Sequence, residues 1–158
     1  MKTPLPSLPG SIVAPRGFLA AGVFCDIKRL GTGKGSAKGP KRDLALHVSE
    51  TPASVAGLFT TNQVCAGPVR LCAERVQAGV AQAIVVNSGN ANACTGRQGV
   101  RDARAMAELT GRALALPPER ILVASTGRIG VPLPMPNVRT GIAAAAEKLG
   151  ATPAEADA

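Results

Sequence analysis

The stretch that most narrows the fold is Ile121-Leu-Val-Ala-Ser-Thr-Gly-Arg-Ile-Gly-Val-Pro-Leu-Pro134. It begins with four apolar residues, Ile121 to Ala124, a length that suits a buried strand. Ser125-Thr126-Gly127 then breaks the run, and Gly130, Pro132 and Pro134 keep a regular element from resuming. A strand that ends on a hydroxyl residue and a glycine can turn a side-chain O–H and a backbone N–H the same way. Two donors held by a rigid strand suit a developing oxyanion. Ser, Thr and Gly are also ordinary turn formers, so these residues alone leave a plain turn open.

A second apolar run, Ala83-Ile-Val-Val86, does not alternate and reads as a strand buried on both faces. It leads into Asn87-Ser-Gly-Asn-Ala-Asn-Ala-Cys-Thr-Gly96, where the density of Asn and Gly marks tight backbone geometry with positive φ. Thr95, with Gln98 three residues on, predicts a capping box opening a helix. That helix carries Val100, Ala103, Ala107, Thr110 and Leu114 on one face and Arg104, Glu108 and Arg112 on another, and ends at Pro117-Pro118. A last helix from Pro136 has Val138, Ile142, Ala145 and Leu149 as its apolar line and Gly150 as its stop.

The first half is mostly strand. Pro15 to Ile27 reads as one strand, Asp43 to Ser49 as a second and Ser54 to Thr60 as a third. Pro68 is placed to open a helix that ends near Gly79. The order predicts an α/β (α+β) fold, a mixed β-sheet covered by helices. Residues 1–11 read as a flexible N-terminus, 12–150 as one domain and 151–158 as an unanchored tail.

Composition removes several function classes. The chain has 158 residues, 46% hydrophobic but only 2% aromatic, so Ala, Val, Leu and Ile must build the core and no aromatic platform offers stacking to bases. The net charge of +8 is concentrated in Lys28 to Arg42, a Gly-rich run that reads as a solvated loop and not a nucleic-acid contact. Gly31-Thr-Gly-Lys-Gly-Ser36 lacks phosphate-loop spacing. No apolar run is long enough for a membrane helix, and the proline-rich start does not read as a signal peptide, so a soluble cytoplasmic protein is expected.

Cys25, Cys65, Cys72 and Cys94 show no metal-ligand spacing and are expected as reduced, buried thiols. No metal and no bound cofactor are called for. His47, the single histidine, lies in the alternating run Leu44 to Ser49, so it is expected to face solvent or a crevice and not to act as a base.

Four segments carry a resemblance: Ala14 to Phe18, Pro52 to Asn62, Ala83 to Gly96 and Val123 to Met135. Together they resemble the N-terminal, or α, part of the ornithine acetyltransferase (glutamate N-acetyltransferase) family of arginine biosynthesis. The resemblance implies a place in an N-terminal-nucleophile-type sandwich. It also implies acetyl transfer from N-acetyl-L-ornithine to L-glutamate, some such enzymes also using acetyl-CoA as donor. In that family a precursor cuts itself and frees a threonine at the start of a C-terminal β chain. Its hydroxyl attacks the acetyl carbonyl with its own α-amine as base.

The resemblance gives Thr126 and Gly127 the oxyanion hole, through a hydroxyl and a backbone N–H. The family's nucleophilic threonine and its substrate-binding threonine and lysine lie beyond the matched segments. The implied partner is therefore a β chain in an α2β2 assembly, and the 158 residues alone are expected to be sticky and inactive. Arg128 stands where relatives often carry a smaller apolar residue. An aminopeptidase of the related fold, a basic nucleic-acid-binding module and a non-catalytic structural remnant are the alternatives.

Overall fold

A computed structural model describes residues 10–28 and 41–152. Among them are four strands and three helices: β1 (Phe18–Val23), β2 (Leu44–Ser54), α1 (Gly67–Arg75), β3 (Val80–Asn90), α2 (Gly96–Leu114), β4 (Ile121–Arg128) and α3 (Met135–Glu147). They form one mixed sheet in the order β1-β2-β3-β4, its first two pairings antiparallel and the third parallel. The parallel pair requires a crossover, and α2 supplies it. This is the α/β (α+β) fold, a mixed sheet with helices packed against it, that the element order predicts.

All three helices pack on one face. The register lines up Ala21, Leu46, Val85 and Val123 across the sheet on that side, with Val48, Ala83 and Ile121 a row away. Against them lie Leu71 of α1, Ala103, Met106 and Ala107 of α2, and Val138, Ile142 and Ala145 of α3. Of the apolar lines expected for the two longer helices, Ala103, Ala107, Thr110, Val138, Ile142 and Ala145 are buried, as 3.6-residue periodicity requires, whereas Val100, Leu114 and Leu149 are only partly buried. Met106 adds an unbranched side chain that fills the α2 contact.

Among the described residues, none of these three helices packs on the other face. There Phe18 is 36% and Ile84 38% exposed, and Val86 is half-buried. The expectation that Ala83 to Val86 is buried on both faces is therefore corrected: Ala83 and Val85 are buried and Ile84 is not. Lack of alternation reflects two apolar faces, only one of which is covered here.

Several boundaries also differ. The expected first strand contracts to Phe18–Val23. The expected third strand does not form; β2 runs on past a bulge between Val48 and Ala53, and Ser54 is its last residue. Residues 55–66 take no ladder, because Leu58 is fully exposed and no packing surface holds the segment flat. Gly150 does not stop α3, which is capped at Lys148; it forms an antiparallel bridge to Ala20, with both backbone hydrogen bonds made. Residues 1–9, 29–40 and 153–158, hence most of the expected flexible N-terminus, basic loop and tail, lie outside the described residues.

Candidate functional site

The parallel pair carries Thr126 and Gly127, the candidate residues. Strand β4 does not break at Ser125; it stays paired with β3 to the end, with Asn87 opposite Ser125, Ser88 opposite Thr126, Gly89 opposite Gly127 and Asn90 opposite Arg128. Two glycines make this possible. Gly127 has φ 127° and Gly89 φ 108°, backbone shapes that L side chains rarely adopt. A Cβ on Gly127 would lie 2.4 Å from the Gly89 carbonyl carbon, and one on Gly89 would lie 2.4 Å from the Lys28 Cα. Three backbones thus stack with no side chain between them.

Alternation along β4 separates the two hydroxyls. Ser125 shares the helix-covered face with Val123, and its Oγ is buried without a hydrogen-bond partner. Thr126 is on the uncovered face and exposed, as is Gly127. Thr126 and Gly127 therefore sit together at the accessible C-terminal end of the parallel pair.

An asparagine network fixes the turn beyond β3, and sequence reasoning did not anticipate its side chains. Asn87, Asn90 and Asn92 are fully buried. Asn87 Nδ2 donates to the Asn90 carbonyl (2.8 Å), while its Oδ1 has no partner. Asn90 Nδ2 donates to the carbonyls of Val131 and Pro132, 3.0 Å each, and Asn90 Oδ1 accepts the Asn92 N–H (2.8 Å). Asn92 Nδ2 donates to the Gly99 carbonyl (2.8 Å). Backbone bonds from Ala91 N–H to the Arg128 carbonyl and from Gly130 N–H to the Ala93 carbonyl complete the clamp on the segment after Gly127. Positive φ at Gly89, Asn92, Cys94 and Gly96 bears out the tight geometry expected from this stretch. The signal available beforehand was three amides in six residues, too many for turn formation alone.

The capping box does not form. Thr95 Oγ1 donates to Asn92 Oδ1 (2.9 Å), and Gln98 Nε2 donates to Asp102 Oδ1 (2.6 Å). The buried Asn92 carbonyl oxygen thus takes the hydroxyl that would otherwise cap α2.

Asp43, also unanticipated, is 3% exposed and accepts the N–H groups of Cys25 (2.8 Å) and Lys28 (3.0 Å). It pins the segment that rests on Gly89. Burial, reinforced by the Asp43 carboxylate, pushes the Cys25 thiol up to about 12.

The four cysteines carry no disulfide, as expected, but only three are even half-buried and Cys94 is exposed, because the turn after β3 lifts it off the sheet. His47 faces a crevice, as expected. The groove, about 440 Å³, opens among Ile12, Phe18, Ile84 and Leu122, and burial lowers the His47 pKa below 6.5. Its Nδ1 has no partner. Leu122 is four residues from Thr126, roughly 13 Å along the strand, so the groove is distinct from the glycine-lined end.

Among the described residues no three His, Cys, Asp or Glu side chains converge to hold a metal ion, and no helix is long and apolar enough to cross a membrane.

The arrangement is that of an α/β layer in which a parallel strand pair leaves Thr126 and Gly127 exposed at its C-terminal end. More particularly, the chain belongs to the ArgJ family, whose model matches residues 20–158. It is 53% identical over 153 residues to the arginine biosynthesis bifunctional protein ArgJ of Symbiobacterium thermophilum, covering 94% of this chain and 36% of that protein. It is 51% identical over 142 residues to ArgJ of Caldanaerobacter subterraneus, covering 90% and 33%. The chain thus spans about a third of the length of these relatives.

Two crystal structures share the fold. One is ArgJ of Bacillus halodurans, with a TM-score of 0.82 and 38% identity over 93% of this chain and 71% of that one. The other is the ornithine acetyltransferase of Mycobacterium tuberculosis complexed with ornithine, with a TM-score of 0.84 and 37% identity over 94% and 75%.

Proposed function

We propose that this chain provides the oxyanion hole of an acetyltransferase that moves an acetyl group from N-acetyl-L-ornithine to L-glutamate in arginine biosynthesis. The observation that carries the reading is the pairing of Thr126 with Gly127 at the exposed end of β4, in a chain of the ArgJ family. Val123 turns both its N–H and its C=O outward, away from β3, to the Cys72 thiol. Alternation gives Gly127 the same outward edge. Its N–H and the Thr126 hydroxyl are then the two donors for the oxygen of a tetrahedral intermediate.

The nucleophile in this reading is the N-terminal threonine of a C-terminal β chain, paired with this chain as α2β2. Its α-amine takes the hydroxyl proton as oxygen attacks the acetyl carbonyl. Collapse expels the ornithine amine, which takes that proton, and leaves an acetyl-threonine. The glutamate amine then attacks the acetyl-enzyme through a second oxyanion at the same donors. No bound cofactor is needed; acetyl-CoA would enter as an alternative acetyl donor. The proposed setting is the cytoplasm.

The test is acetyl transfer from N-acetylornithine to glutamate by the 158-residue chain alone and by the chain co-expressed with a β chain. Turnover only in the second case is expected. Turnover by the chain alone would overturn the nucleophile assignment.

A further inference from the structure

We infer that Cys65 and Cys94 form a peroxide-oxidisable dithiol site, closing to a disulfide across the cleft they share. The inference does not rest on the acetyl-transfer reading. Both thiols line one cleft of about 230 Å³, with Gln63, Arg70, Asn92 and Thr95 around them. They come from two segments joined by a single backbone bond, Gly67 N–H to the Asn92 carbonyl (3.3 Å). Cys65 is two residues before the donor and Cys94 two residues after the acceptor. The bond holds the two segments together beside the one cleft that both thiols line.

The surroundings fit the chemistry. Cys65 is half-buried, and Arg70 Nε donates to its Sγ at 3.5 Å. A partly exposed sulfur beside a guanidinium is the microenvironment of a reactive cysteine. Cys94 is exposed, and its backbone is held at φ 56° within the asparagine-braced turn. A nearby second thiol is what resolves an oxidised cysteine. The other two cysteines are occupied elsewhere. Cys72 exchanges hydrogen bonds with Val123, and Cys25 lies beside Asp43 with its thiol held protonated to about 12.

The oxidant is a hydroperoxide. The Cys65 sulfur attacks the O–O bond; an S–O bond forms, the O–O bond breaks, and the alcohol or water leaves with the thiol proton. The Cys94 sulfur then attacks the sulfenic sulfur. An S–S bond forms, the S–O bond breaks, and hydroxide leaves as water with the second thiol proton. Two electrons pass from the two thiols to the peroxide. The new bond ties the segment before α1 to the turn that clamps Arg128 and Gly130.

The experiment treats the 158-residue chain with hydrogen peroxide, counts free thiols and maps peptides by mass spectrometry without reduction. Expected is loss of two of the four thiols, a linked Cys65–Cys94 peptide lighter by two hydrogens, and full reversal by dithiothreitol. Cys65→Ser and Cys94→Ser should each abolish the linked peptide, while Cys72→Ser should keep it. Linkage through Cys25 or Cys72, linkage only between molecules, or oxygen added at Cys94 with no internal link would each overturn the site. The wild-type map decides even if a variant fails to fold.

Discussion

The two halves of β4 have one ladder, one partner strand and opposite fates. In the first half, Ile121 to Val123 are buried and both edges of the strand are satisfied. On the outer edge Arg75 Nη1 donates to the Ile121 carbonyl, and the Cys72 thiol donates to the Val123 carbonyl (3.2 Å) and accepts its N–H (3.3 Å). Burial accordingly pushes the Cys72 pKa up. In the second half, Thr126 to Arg128 are exposed, and the chain is held instead by a glycine contact and borrowed asparagine amides. A strand can thus be anchored at its start by packing and left accessible at its end without losing register.

The largest expected effect tests the glycine contact. Gly127→Ala should cost roughly 2–5 kcal/mol, combining a disfavoured φ with collision against Gly89. Gly130→Ala also meets a positive φ, 78°, but has open space around it, so it should cost only about 1–2 kcal/mol. Urea unfolding of the two variants side by side decides; equal losses would mean that the close approach contributes nothing.

Thr126→Ala should separate activity from stability. In an assembled and processed enzyme kcat should fall roughly 10²–10³-fold, the loss of one oxyanion donor, with KM for N-acetylornithine moving far less. Stability should stay within about 0.5 kcal/mol, since the side chain is exposed. An unchanged kcat removes Thr126 from the oxyanion hole.

Cys72→Ala probes the sealed half. It leaves the Val123 N–H and C=O without their partner, which should cost about 1–3 kcal/mol in urea unfolding. The kcat of the assembled enzyme should not change. A loss of kcat at full occupancy of the folded state would show that the halves are not independent.

This contrast marks what could be read from the residues. Helix faces and strand cores follow from periodicity, so Val138, Ile142 and Ala103 were foreseeable as core. The continuation of β4 past Ser125 was not, because it depends on Gly89 lying opposite Gly127 from a segment 38 positions away in sequence. The asparagine network was half legible. Amide density signals a turn, but which carbonyls the amides meet is decided by the 131–132 segment folding back. Thr126 and Gly127 were picked out by motif, whereas Asp43 gives no local sign that its carboxylate caps two backbone N–H groups.

The smallest effect concerns the uncovered face, where His47 lines the groove that Leu122 of β4 also borders. Burial holds His47 below its ordinary pKa of 6.5, so the folded chain prefers the neutral ring. Below pH 6.5 the unfolded chain takes up the proton first, and stability should fall as pH drops from there until folded His47 also protonates. His47→Gln should flatten that part of the curve in thermal melts between pH 7 and 5. An unaltered slope would mean that other groups set it.

The bridge between Ala20 and Gly150 sets an order in time. Strand β1 can meet β2 as soon as both exist, but its other edge waits for a residue near the far end of the described chain. During synthesis the first strand is therefore flanked on one side only until almost all of the sheet and its helices have been made. The entropy of closing so long a loop grows only logarithmically, about 0.6 kcal/mol for each doubling. The clasp can therefore form only after the helices that lie between its two residues have been made, at little extra closure cost for that length.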